Sequence, residues 1–282
     1  MTETLIDILR SLGYGLAALA LCWLARLVYA LNPAAKKSGA APLAAGSPAE
    51  AAGAGGYFLA VILSLGGPIS WASDSFLEGA AVALGFGALA VVLLNASIWA
   101  ADKTYLGRLR LEKRVAGGSL GAGLLRAAHE TALGLVILGA SWGDNGGVMV
   151  MLSFWLLGQL LLGAAVTVYF KASGFDLGGE LDKGNTAAAL SAAGMIAGFG
   201  LIAWSALSGP FLGWGRSVVD TAAYYAAGAL GITVFRAAAD FVLLPGATFR
   251  GEILKGNGNV AAGVLDASLT VGMAILLTWC LM

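Results

Sequence analysis

The sequence predicts an all-α polytopic membrane protein of about eight transmembrane helices, arranged as two tandem four-helix halves. Hydrophobic residues make up 59% of the 282 positions and charged residues only 11%, less than half of the share in soluble domains. Apolar segments of about 20 residues, the length that crosses a bilayer, recur along the chain. The chain also resembles itself when it is offset by about 140 residues, which is typical of a repeat architecture.

Eight segments are apolar and long enough to span a bilayer. Gly66, Gly67 and Pro68 interrupt the second of them, because glycine and proline weaken a helix interior. The 42 glycines fit this protein class, since small residues let membrane helices approach closely. The predicted spans are 12–32, 54–73, 79–101, 118–141, 147–171, 185–207, 217–244 and 259–281.

Lysine and arginine concentrate in alternate connections, which predicts the orientation of the chain. The basic connections follow the first, third, fifth and seventh spans, whereas the other connections carry Arg216 alone. We therefore expect the basic loops in the cytoplasm and both termini in the periplasm. The segment 33–56 is rich in Pro, Ala, Gly and Ser, and it is predicted to be a flexible cytoplasmic linker, with a regulatory docking segment as the alternative.

The internal repeat divides the chain into halves at 1–142 and 143–282. At this offset Glu112 corresponds to Glu252, and Gly118 corresponds to Gly258. An even number of spans separates the copies, so the halves should share one orientation about a pseudo-two-fold axis along the membrane normal. A shorter repeat within the second half indicates that the elementary unit is a helical hairpin, used four times.

That shorter repeat is a motif in front of two spans, which we call the helix-start motif. Asn185 or Asn259 can cap unpaired amide groups where the chain enters the bilayer, and the lysines can lie among lipid phosphates. Two interpretations stay open, a cap combined with close helix packing, or a loop that binds an ion or a lipid headgroup. The motif residues are Glu180, Lys183, Gly184, Asn185, Glu252, Lys255, Gly256, Asn257 and Asn259.

An acidic residue, a lysine, Asn-x-Ala-Ala and a glycine-rich apolar helix together resemble the YjfL-like bacterial inner-membrane family, a domain of unknown function with two-helix units usually found in pairs. The resemblance is good over 150–282 and partial over 103–142, where Gly117-Gly118-Ser119 replaces the asparagine motif. It is poor over 1–75. The resemblance implies a doubled family member with a degenerate first half in the bacterial inner membrane, and it implies no catalytic residues.

Several ionisable residues fall within the spans, all in the predicted cytoplasmic half of the bilayer. Each costs about 2.5–3.5 kcal/mol at the centre of a span on insertion scales, so such residues normally face the bundle interior. One interpretation is structural ion pairs that join the halves, and the other is a polar cavity that binds an ion or a small solute. Arg26 lies near enough to the end of its span to snorkel. The residues are Arg26, Arg126, Glu130, Arg236, Asp240 and Asp266.

Spacing and the repeat give specific expectations for these charges. The i,i+4 spacing places Arg126 and Glu130 on one helix face, as it does Arg236 and Asp240. Arg126 and Asp266 occupy equivalent positions with opposite charge, so we expect them to meet directly or through water between the fourth and eighth spans. The competing arrangement pairs Arg126 with Glu130 alone.

Two further expectations concern packing and the single histidine. Small residues of the sixth and eighth spans, Gly194 with Gly198 and Ala261 with Gly263, should form the tightest helix contacts. His129 is expected to be buried and bonded to a hydroxyl or a carbonyl, in preference to a proton relay.

The sequence argues against an enzyme and against a cofactor. His129-Glu130 lacks the second histidine of a metalloprotease helix, and one histidine with Cys22 and Cys280 far apart predicts no metal site. The balance of 16 basic and 16 acidic residues argues against nucleic acid.

The leading functional hypothesis is passage of an ion or a small solute through a polar site between the halves. The alternative is a membrane scaffold or envelope-stress component that recruits soluble partners or anionic lipid through its basic loops. The expected partners are the lipid bilayer and anionic headgroups, and a homo-oligomer or a soluble cytoplasmic partner stays open.

The predicted orientation can be tested by labelling. Cysteines introduced at Ser38 and Ser208 should react with an impermeant thiol reagent from opposite sides of the membrane, because the basic loops are retained in the cytoplasm. Reaction of the Ser38 variant from the periplasmic side would reverse the orientation.

Overall fold

The computed structural model describes residues 2–31, 47–70, 75–142, 147–243 and 246–281, and these ranges contain helices and turns but no strand. Eight helices within them are long and apolar enough to cross a membrane, which confirms the predicted fold class. The helices are α1 (Thr2–Leu31), α2 (Pro48–Ser64), α3 (Gly66–Ser70), α4 (Phe76–Lys103), α5 (Leu111–Ala116), α6 (Leu120–Ala140), α7 (Gly147–Ala172), α8 (Leu177–Asp182), α9 (Thr186–Leu207), α10 (Trp214–Leu243), α11 (Phe249–Ile253) and α12 (Val260–Leu281).

The second span differs from its prediction at its start and is interrupted before its end. Helix α2 begins at Pro48, so residues 48–56 are helical and do not belong to a flexible linker. Proline suits the first position of a helix, and the Ala/Gly-rich turns that resemble linker composition are the part of α2 that packs against α6. The span is interrupted at Leu65 and continues as α3, while residues 32–46 of the predicted linker lie outside the described residues.

Four spanning helices, α2, α6, α9 and α12, form one row of neighbours, which we call the inner row. The other four spanning helices, α1, α4, α7 and α10, pack against this row. Burial is greatest in the middle of this row, where 78% of the apolar window of α9 and 72% of that of α6 are buried, and it falls to 28% for α12 at the end of the row. The core of the protein therefore lies in the contacts between the inner-row helices.

Small residues meet at three levels along each inner-row interface. A Cβ added to Gly194 would lie 2.5 Å from the Cα of Ala267, and one added to Gly200 would lie 2.6 Å from the Cα of Ala132. These helices therefore touch backbone to backbone, as small residues permit in membrane bundles. The contacting pairs are Ala49–Gly123, Gly121–Ala189 and Ala187–Gly263 at the first level, Gly56–Ala127 and Gly194–Ala267 at the second, and Ala60–Gly134, Ala132–Gly200 and Gly198–Ala274 at the third.

The three interfaces share one register when positions are counted from the residue before each helix. These starting residues are Ser47, Ser119, Asn185 and Asn259. The second position of one helix meets the fourth position of the next helix at the first level. The ninth position meets the eighth at the second level, and the thirteenth meets the fifteenth at the third level. Between α6 and α9, Ala128 and Ala193 occupy the second level. The positions increase together, so the inner-row helices are parallel, and the hairpin is the unit that repeats along the row.

The predicted tight glycine contacts are partly correct. Gly194 and Gly263 touch the backbones of Ala267 and Ala187. Gly198 is looser, with its Cβ position 3.5 Å from the Cβ of Ala274. The inclusion of Ala261 was wrong, because this residue lies on the exposed side of α12. The prediction also missed the equally close contacts of α6 with both of its neighbours.

We expect Gly194→Leu to destabilise the fold more than Gly85→Leu. The first change forces a side chain into the backbone of α12, and overpacking of this kind costs about 1–3 kcal/mol or more. The second change is its control, because no described atom lies within 4 Å of a Cβ at Gly85. Thermal unfolding in detergent measures both, and equal midpoints would show that the α9–α12 contact is not close.

Candidate functional site

The first half holds a buried ion pair on α6. The Nε atom of Arg126 donates to Oε1 of Glu130 at 2.8 Å, and both side chains are buried. Gly53 of α2 faces the arginine, with its Cβ position 3.5 Å from Arg126 Cδ. The second carboxylate oxygen of Glu130 is buried and accepts no hydrogen bond from the described residues. The cluster is therefore neutral overall but keeps one unused acceptor.

His129, next to this pair, is buried against the connection that follows α4. Its Nε2 atom and the hydroxyl of Tyr105 share a hydrogen bond of 2.8 Å, which confirms the predicted hydroxyl partner. Burial raises the pKa of the Tyr105 hydroxyl, so this group stays protonated at neutral pH. The Tyr105 ring packs on α7, where it would lie 2.9 Å from a Cβ at Gly163. The histidine thus helps fasten the α4–α6 connection to the bundle.

The second half holds a larger polar cluster between three helices. Arg236 of α10 donates through Nε and Nη2 to the two carboxylate oxygens of Asp266 at 2.7 and 2.8 Å. The hydroxyl of Ser191 on α9 donates to Oδ2 of Asp266 at 2.5 Å and accepts from Arg236 Nη2 at 3.2 Å. Asp266 is fully buried, whereas the side chain of Arg236 is 26% exposed. The charges satisfy one another, as buried charges require.

The predicted pairing between the halves does not form, and two residues that share a helix face have separate partners. The expected contact between Arg126 and Asp266 is wrong, because each has an ion partner in its own half. Arg236 bonds Asp266 rather than Asp240. A carboxylate oxygen of Asp240 instead accepts the amide of Phe249 at 2.5 Å, where α11 begins. Arg26 is exposed on α1, as its predicted snorkelling requires.

The shared register explains why Arg126 and Asp266 stay apart. Each is the seventh residue of its helix and faces the sixth position of the preceding inner-row helix, which is Gly53 for Arg126 and Ser191 for Asp266. Between the halves the same positions are Leu125 and Ala192. The interface between the halves is therefore apolar at this level, and the charged residues lie within each half rather than between the halves.

Three inner-row helices begin with the same turn, which follows a short helix. A glycine with positive φ precedes each capping residue, at 84° for Gly118, 77° for Gly184 and 88° for Gly258. Only glycine adopts this conformation without strain. Each cap accepts the amide of the third helical residue, and the caps are Ser119, Asn185 and Asn259. The structural counterparts of Gly184 and Asn185 are thus Gly258 and Asn259, although the shared pattern Glu-x-x-Lys-Gly-Asn pairs them in sequence with Gly256 and exposed Asn257, two residues earlier.

In both copies of the helix-start motif, the acidic residue accepts a hydrogen bond from the capping asparagine. Asn185 Nδ2 donates to Glu180 Oε2 at 2.7 Å, and Asn259 Nδ2 donates to Glu252 Oε2 at 3.2 Å. Lys183 binds Glu180 at 2.7 Å. The hydrogen bonds from Lys183 and Asn185 lower the pKa of the Glu180 carboxyl, so it remains charged at neutral pH. These contacts are those of the capping interpretation of the motif.

Neighbouring start turns are also bonded to each other. Arg114, ahead of α6, donates to the carbonyl of Gly178 at 3.0 Å and pairs with Asp182 at 2.8 Å. Asn185, ahead of α9, donates to the carbonyl of Ile253 at 2.9 Å. The turns therefore form a connected layer at the N-terminal ends of the inner-row helices, and they follow one another in the same order as those helices.

The family model described as Domain of Unknown Function (DUF350) matches the chain twice, over residues 3–141 and 144–281. This confirms the resemblance and the doubled form, and the match includes the part of the chain before residue 75, where the sequence resemblance was poor. No curated protein matches the chain. No solved structure matches it either.

A double-mutant cycle tests the assignment of ion pairs. Asp266→Asn should cost about 2 kcal/mol or more, below the 3–5 kcal/mol for a fully buried pair because Arg236 is partly exposed. Arg236→Gln with Asp266→Asn should cost less than the two single changes added together. Arg126→Gln with Asp266→Asn should be additive within about 0.5 kcal/mol, because these residues share no partner. Unfolding free energies measure each term, and a coupling between Arg126 and Asp266 would contradict the structure.

Proposed function

We propose that this chain, which belongs to the DUF350 family, is a non-enzymatic structural protein of the bacterial inner membrane that holds anionic lipid headgroups beside a rigid helical wall. The observation that carries the proposal is that charged residues inside the bundle form ion pairs with one another, whereas several exposed basic residues outside it have no ion partner among the described residues. The wall is the inner row, and the headgroup site is the connection between α4 and α6.

The inner row supports the first part of the proposal. Its helices pack closely at several levels, with direct backbone contact at most of them, so sliding or parting of the halves would break many contacts at once. At the level of the charged residues, the interface between the halves is formed by Leu125 and Ala192. This favours a wall over a polar passage between the halves.

The basic residues before α6 support the second part. Arg108, Arg110 and Lys113 are exposed, and no ion pair joins them to an acidic residue in the described part of the chain. In the second half, Glu180 and Glu252 neutralise Lys183 and Lys255, and the exposed Lys171 and Arg250 are far apart in the sequence, whereas the three residues before α6 lie within six positions. Each basic residue near an anionic membrane surface contributes about 1 kcal/mol of attraction. The first half therefore carries the stronger headgroup site.

Lipid retention tests the proposal. Purified protein in detergent should retain added phosphatidylglycerol over phosphatidylcholine in native mass spectrometry. Arg108→Gln with Lys113→Gln should lower that retention by about 30-fold, because each residue contributes about 1 kcal/mol of attraction. Arg216→Gln is the control, because Arg216 is exposed near the start of α10, at the opposite end of the bundle from the start turns. Equal phosphatidylglycerol retention by all variants would reject the headgroup site.

The buried acceptor of Glu130 favours a second candidate, passage of protons or cations within the first half. A carboxylate oxygen without a donor can bind a proton or a cation, and Arg126, His129 and Tyr105 extend the polar cluster toward the start-turn end. Ion flux into proteoliposomes that is lost in Glu130→Gln, with the fold retained, would support this candidate over the wall. Absence of flux in the wild-type protein would remove it.

A further inference from the structure

The two ends of the inner row leave complementary helix faces open. On α12, the second, ninth and thirteenth positions are Ala261, Ser268 and Gly272, and all three are exposed. On α2, the fourth, eighth and fifteenth positions are Ala51, Gly55 and Ile62, which are also exposed. No described atom lies within 4 Å of a Cβ at Gly55 or Gly272.

These open positions are the ones that form every inner-row interface inside the chain. In α2 and α9 the second, ninth and thirteenth positions contact the next helix of the row, and in α6 the second and thirteenth positions do so. The face of α12 is therefore the continuation of an interface that the chain builds three times, and the face of α2 is its counterpart.

The residue sizes also match that interface. At the third level each internal pair contains one glycine, and an open pair of Gly272 with Ile62 would contain one as well. At the second level, Ser268 with Gly55 would resemble Gly194 with Ala267. The lipid-facing surface elsewhere is different in kind, because it presents large side chains such as Leu230, Val234 and Phe241.

The layer of start turns ends in the same way. Asn185 donates to the carbonyl of the next turn along the row, at Ile253. Asn259, its counterpart ahead of α12, is exposed and donates to Glu252 of its own turn. Among the described residues, Asn259 therefore makes no hydrogen bond to a further turn, and a further unit would lie on this side of the layer.

We propose that copies of this chain assemble head to tail, with the Ala261/Ser268/Gly272 face of one copy packed against the Ala51/Gly55/Ile62 face of the next. This is a heterologous interface, so each added copy presents a new free face, and assembly continues into a ring or a filament. The inference extends the proposed wall from one chain to many, and it does not depend on the headgroup site.

Disulfide cross-linking in native membranes tests the assembly. With Cys22 and Cys280 replaced by serine, Ile62→Cys with Gly272→Cys should give a ladder of covalent multimers on mild oxidation. The equivalent internal positions, Gly198 and Ala274, have a Cβ separation of 3.5 Å, within the range of a disulfide. Each single-cysteine variant should stay monomeric, because a head-to-tail contact never brings two copies of one residue together.

A bulky change provides the matched control. Adding Gly55→Leu to the cysteine pair should lower cross-linking about tenfold or more, because the side chain would collide only with a second copy. An unchanged thermal midpoint in detergent would show that the fold is retained. A covalent dimer from Gly272→Cys alone would overturn the proposal in favour of a two-fold contact, and absence of any ladder would also overturn it. If lipid retention persisted in that case, the proposed function would stand without assembly.

Discussion

Backbone-to-backbone contact between parallel helices is the constraint on which the rest of this structure depends. At the second level of two interfaces, Gly56 meets Ala127 and Gly194 meets Ala267, and neither site has room for a larger residue. In a bilayer, apolar burial drives helix association weakly, so stability comes from such close packing. One register therefore recurs along the inner row. Because each helix uses one face toward the preceding helix and a different face toward the next, successive hairpins follow one another in a single direction.

This register also determines where charge is tolerated. Arg126 and Asp266 occupy the same position of their helices, where a neighbour carries Gly53 or Ser191 in place of a bulky apolar residue. The space admits a long side chain in one half and a hydroxyl in the other. Each charge then finds a partner nearby, Glu130 on the same helix or Arg236 on α10. The two halves therefore solve the same desolvation problem with opposite charges.

Much of the fold could be predicted from the sequence, because hydropathy reports which segments suit a bilayer. The spans, the doubling and the capping role of Asn185 depend on length, repetition and local hydrogen bonding. Hydropathy does not report which face of an apolar helix meets which neighbour. The pairing of Arg126 with Asp266 failed for this reason, since it assumed that equivalent residues meet. The capping role of Asn259 was predicted correctly, but the motif paired Asn257 with Asn185, because the turn before α12 is two residues longer than the turn before α9.

The register of the inner row is the central claim, and intramolecular disulfide formation tests it most directly. In a chain without Cys22 and Cys280, Gly198→Cys with Ala274→Cys should form a bond within one molecule on mild oxidation, because the Cβ positions lie 3.5 Å apart. Arg126→Cys with Asp266→Cys should not form one. Efficient bonding of the second pair and failure of the first would contradict the register and place equivalent residues of the halves face to face.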